Sequence, residues 1–127
     1  MHTDDDDLAQ LLEEYVSCAR EHRLTSYGSR VSVRAGNRAA DRLRSIAKVI
    51  AVRGPQATEA FSLLLSDPDE PQASWAAHHL LELMIPDESQ LERALAILTA
   101  LAEGPTAYAL GTRMWLENWR RSRDAEG

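Results

Sequence analysis

The chain has one cysteine, Cys18, so it closes no internal disulfide, and a reducing cytoplasm is the expected compartment. It has no apolar run near the eighteen or so residues of a membrane span, so no membrane association is expected. Residues 1–7 are acidic and lack the basic-then-apolar build of a secretory signal. β-Branched residues are sparse, and the only alternation, Val31-Ser32-Val33, is too short to predict a strand. Motifs for chemistry are missing too: there is no P-loop, no dinucleotide glycine pattern, no Gly-x-Ser-x-Gly and no His-Glu-x-x-His. These absences predict a protein that is not an enzyme and carries no cofactor or metal.

What is present is helical. With 127 residues, 44% hydrophobic and 27% charged, the sequence suits one globular domain over 1–127. Apolar residues recur at three- and four-residue steps in six segments, predicting helices over about 3–24, 29–53, 55–66, 71–85, 87–103 and 105–121. Thr3 is placed to cap the first, whose opening turn, residues 4–7, is acidic where the helix dipole is positive. Its stripe is Leu8, Leu11, Leu12, Tyr15, Val16 and Ala19, and residues 25–28 read as a turn. The second helix has the clearest period: Val33, Gly36, Ala40, Leu43, Ala47 and Ile50, with Ile46 beside them. Gly54-Pro55 and Gly104-Pro105 read as helix junctions, and Asp87 followed by Gln90 reads as a capping box. Leu91, Ala94, Leu95 and Leu98 mark the inner face of the fifth helix, and Ala107, Leu110, Met114, Trp115 and Trp119 that of the sixth. Short connectors between six amphipathic helices predict an all-α fold of stacked antiparallel hairpins.

The formal charge is −6, but it is unevenly spread. Residues 20–53 hold nine basic side chains and two acids, a balance of +7, which leaves −13 elsewhere. Within that segment Arg30, Arg34, Arg38 and Arg42 recur every four residues, with Lys48 on the same side. At about 100° per residue they form a slowly winding row opposite the Val33-to-Ile50 stripe. A solvated face is the ordinary explanation of such a row, but only Asp41 is near enough in sequence to offset it. An anion lying against the row explains it better: a partner, a nucleic acid, or the acidic first helix of the chain itself.

Other candidates have plainer explanations. His78 and His79 are adjacent, so about 100° separates them on a helix and they do not share a metal easily. Both are expected at the surface or its boundary, with His79 on the flank one turn after Trp75. The acidic run at 4–7 lacks calcium-site spacing and is explained by its place at a helix start. Cys18 reads as packing, and Trp75, Trp115 and Trp119 as mostly core.

Residues 63–81 contain Asp67-Pro68 followed by Ala76-Ala77 and Leu80, which resembles the inter-helix turn and second helix of a HEAT repeat. Over residues 8–119 the chain resembles a small bacterial family of HEAT-like proteins, domain of unknown function twenty-nineteen. The pieces that carry this are Gly36-Asn37-Arg38 with Leu43, Arg53-Gly54-Pro55, Asp67-Pro68, Trp75-Ala76-Ala77-His78 and Trp115-Leu116-Glu117-Asn118-Trp119. The resemblance implies a HEAT/armadillo-like α–α superhelix and no particular activity, and some such families serve as immunity proteins beside toxins.

Together these readings predict a non-enzymatic protein-binding scaffold, a monomer or small homo-oligomer. Its partner would be another protein with an acidic surface, a co-encoded toxin in the immunity form, met by Arg30, Arg34, Arg38, Arg42 and Lys48. The alternative is nucleic-acid binding by the same row, although no aromatics interleave with the arginines to stack on bases.

Overall fold

The computed structural model describes residues 4–24 and 29–126, with side chains for 7–24 and 29–125. Thr3, the turn at 25–28 and the side chains of Asp4, Asp5 and Asp6 lie outside the described residues. The rest is all-α, with six helices and no strand among the described residues: α1 (Asp4–Arg23), α2 (Arg30–Ala51), α3 (Pro55–Ser62), α4 (Pro71–Leu83), α5 (Glu88–Leu101) and α6 (Ala107–Glu126). A 3₁₀ turn, Leu63–Leu65, follows α3 directly. No helix among the described residues is long and apolar enough to cross a membrane.

Local chemistry explains most of the boundaries. Ser29 has extended backbone and its hydroxyl accepts from the Ser32 N–H at 3.4 Å, which starts α2. Gly54 sits at φ +98°, a region costly for side-chain-bearing residues, and this turns the chain between α2 and α3. Pro55 then takes the first position of α3, where its missing N–H costs nothing. Asp87 accepts from the Gln90 N–H at 2.8 Å, and the Gln90 side chain accepts from the Asp87 N–H at 2.9 Å, completing the expected capping box. Gln90 also donates to Glu59 of α3, so the same side chain fixes where α5 begins relative to α3. Replacing Asp87 with alanine is expected to cost about 1 kcal/mol in urea unfolding. An unchanged midpoint would mean that the Gln90–Glu59 contact alone sets the start of α5.

The second Gly-Pro junction differs from the first. Pro105 lies ahead of α6, and the Thr106 hydroxyl caps the helix by accepting from the Ala109 N–H at 3.1 Å. Arg113, two turns in, reaches back to donate to the Ala102 and Gly104 carbonyls at 2.6 and 3.1 Å, satisfying acceptors orphaned by the end of α5. At its other end α6 runs to Glu126 rather than stopping near 121, because residues 121–126 contain no glycine or proline to break it.

The core gathers around α4, which packs against α1, α2, α3, the 3₁₀ turn and α5. Ala73, Ala76 and Ala77 are completely buried on it, and their small side chains let those neighbours come close. Tyr15 and Ala19 enter from α1, Leu43, Ile46, Ala47 and Ile50 from α2, Phe61 from α3, and Ala94 and Leu98 from α5. Tyr15 meets Phe61 edge to face with centroids 5.0 Å apart.

The expected inner face of α6 holds at Trp115 and Trp119, which pack against the core, and is corrected at the other three positions. Ala107, Leu110 and Met114 point outward, Leu110 and Met114 being 51% and 56% exposed. Ala109, Thr112 and Leu116 are buried instead, with Trp115 and Trp119 half-buried beside them. Both stripes have helical spacing, so period alone does not choose between them. The indoles do: Trp115 lies edge-on to His78 at 4.6 Å, and Trp119 donates its N–H to the Leu81 carbonyl at 3.2 Å. Covering two large aromatics outweighs covering one Leu and one Met.

Candidate functional site

The arginines of α2 divide into two groups that the sequence did not separate. All are exposed, as the helical phase predicts. Arg42 makes a two-pronged pair with Glu14 of α1, Nε to Oε1 at 2.5 Å and an outer nitrogen to Oε2 at 3.0 Å. That contact holds the Glu14 carboxyl below its ordinary value, first through the hydrogen bond, with burial opposing. Arg44, outside the predicted row, pairs with Glu82 of α4 at 2.6 Å. Arg30, Arg34, Arg38 and Lys48 have no ion-pair partner among the described residues, and neither does Asp41. The first helix therefore neutralises one end of the row, through Glu14, and leaves the run from Arg30 to Arg38 without an ion pair among the described residues.

A hydrogen bond between Tyr15 and His79 Nδ1, 2.7 Å long, joins α1 to α4 inside the core. This corrects the expectation of a surface or flank position for His79, which is only 4% exposed. Burial, the larger cause, and the neighbouring His78 and Arg44 bring its pKa down to about 4 against the pull of Glu82. Burial likewise drives the Tyr15 hydroxyl well above its usual value and lowers His78. His78 faces Trp115 while His79 faces Tyr15 and Trp75, so the two imidazoles diverge as their spacing implies. Among the described residues no three His, Cys, Asp or Glu side chains converge where a metal ion would sit. All three tryptophans are half-buried, and Arg123 lies over the Trp119 ring at 4.9 Å.

Sequence reasoning thus found the cationic face and offered the acidic first helix as its counter-charge, which Glu14 supplies to Arg42, but it missed the Arg44–Glu82 pair and the Tyr15–His79 bond. Of the adjacent acids Glu13 and Glu14, only the fold says which one reaches Arg42. Compared with protein-family models, with curated proteins and with solved structures, the chain finds no match.

Proposed function

We propose that this chain is a non-enzymatic protein-binding scaffold whose outer α2 face, centred on Arg34 and Arg38, docks against an acidic surface of another protein. The observation behind this is the contrast along a single helix. Arg42 and Arg44 each have a carboxylate of the chain, whereas Arg30, Arg34 and Arg38 stand one turn apart with none among the described residues. Like charges at that spacing repel, and a partner's carboxylates would turn the repulsion into attraction. A HEAT/armadillo-like stack of antiparallel hairpins is the architecture that goes with this role. In its favour, helices adjacent in the chain pack together, α1 with α2, α4 with α5 and α5 with α6, over the small alanines of α4. Capture of a co-encoded toxin is the form that gains most from fast, charge-steered association.

The test is the pair Arg34→Glu/Arg38→Glu, compared with wild type against a partner isolated from the native host. Circular dichroism should be unchanged, because neither side chain packs in the core. Association should slow by about tenfold or more at low salt, with little change in dissociation. A folded double variant with wild-type kinetics would overturn the proposal. Preferential binding of duplex DNA or RNA, with an affinity that falls steeply with salt and is lost in the same variant, would replace it with the nucleic-acid reading.

A further inference from the structure

On another side of the molecule, the last turn of α1, the start of α4 and the first turn of α6 enclose an open cleft of about 390 Å³. Trp75, Tyr108, His22 and His78 are among the residues that line it, and so are Asp69 and Glu70. We propose that this cleft receives the guanidinium of an arginine side chain presented by a protein partner.

Shape, charge and hydrogen bonding agree on that class of ligand. Aromatic faces carry negative quadrupole potential and attract cations most strongly where water is partly excluded. Trp75 is held in place by its edge-to-face contact with His22 at 5.0 Å, so its ring is a pre-set wall rather than a mobile side chain. The C-terminal end of α1, where helix carbonyls lose their partners, adds partial negative charge at the same mouth. Asp69 has no ion-pair partner among the described residues, and Glu70 has only a loose contact with the exposed Arg20 at 4.0 Å. Arg23 in the lining and Arg20 beside Glu70 oppose the two carboxylates; both arginines are exposed, and Asp69 is the carboxylate left for a ligand. His78 adds no positive charge near neutral pH, since burial lowers its pKa. A planar guanidinium suits the cleft better than an ammonium, because it stacks on an indole while its edge forks to a carboxylate. The molecule already makes the cation–ring half of this pairing within itself, Arg123 over Trp119. A carboxylate or phosphate ligand would meet Asp69 and Glu70, and a purely apolar one would leave Asp69 unpaired.

Only the source of the arginine rests on the protein-binding reading, and the chemistry of the cleft is measured without any partner. The probe is N-acetyl-arginine methylamide, followed by the indole N–H signals of the three tryptophans in two-dimensional NMR. Trp75→Phe assigns its signal. The Trp75 signal should move saturably with a dissociation constant on the order of millimolar, as a single side-chain contact implies. The uncharged isostere N-acetyl-citrulline methylamide should bind about tenfold more weakly. Asp69→Asn, which leaves the walls intact, should weaken the arginine probe severalfold and leave the citrulline probe unchanged. No saturable shift at Trp75, equal binding of both probes, or movement confined to Trp119 would each overturn the assignment. Agmatine binding much more tightly than the blocked arginine would assign the cleft to a free amine and overturn the peptide source. Failure of the Arg34→Glu/Arg38→Glu test leaves all these outcomes untouched, so the two proposals fail separately.

Discussion

Between pH 7 and pH 4 the protein should lose about 3 kcal/mol of folding stability through His79, taking about 1.4 kcal/mol per pKa unit over the gap to its unfolded value. The sign follows from where the proton binds. In the unfolded chain the imidazole titrates near its ordinary 6.5, while in the fold burial brings it down to about 4. Within that window the unfolded state takes up a proton that the native state refuses. The contribution is complete above about 6.5, falls as the solution is acidified, and is gone below the folded value. His78, lowered for the same reason, adds to the loss in the same direction. Glu14 also loses its stabilised charge in acid, but its pKa lies below that of an ordinary carboxylate, so its effect is concentrated at the bottom of the range. Urea titrations at intervals from pH 7 to pH 4.5 measure the slope. His79→Gln keeps a group able to hydrogen-bond with Tyr15 and carries no titrating proton, so its slope should be much shallower. Equal slopes in wild type and variant would show that the buried imidazole does not govern acid stability.

Leu80→Ala should cost about 2–5 kcal/mol, whereas Met114→Ala should stay within about 0.5 kcal/mol. Leu80 is completely buried on α4, at the centre of the core, and truncating it leaves a void that its neighbours fill incompletely. Met114 faces outward on α6 and gives up little burial. Midpoints in urea at constant transition slope measure both. Comparable costs would mean that the face of α6 carrying Leu110 and Met114 is covered in solution, for instance by a second copy of the chain.

That pair of substitutions marks where the sequence stops being readable. The period of α2 fixed its inner face, because Leu43, Ile46, Ala47 and Ile50 have no competing stripe and the arginines occupy the opposite side. The capping box at Asp87 and the Gly54-Pro55 turn are equally local, so their residues declare them. In α6 two apolar stripes coexist, and the contacts that choose between them involve His78 and Leu81 on another helix. Distance in sequence hides the rest. Tyr15 and His79 are 64 positions apart, and Arg42 and Arg44 find their carboxylates 28 and 38 positions away. The α2 cations could be named from spacing; which of them lack an ion pair among the described residues could not. The arginine cleft draws its walls from four helices and a turn, none of which carries a signature of it.

The ion pair between α1 and α2 also reaches the sulfur of the one cysteine, on α1, where burial is the larger influence. Cys18 lies half-buried on α1, and its pKa is raised, first by burial and then by the carboxylates of Glu14 and Glu21, while Arg42 acts the other way. At neutral pH the side chain is therefore almost wholly protonated, and the protonated form is a poor nucleophile. Alkylating reagents, peroxide and glutathione disulfide all react through the thiolate, so each meets a slow target. Arg42 tempers this inertness from across the helix boundary: with its guanidinium gone, Glu14 would act on the sulfur unopposed and quieten it further.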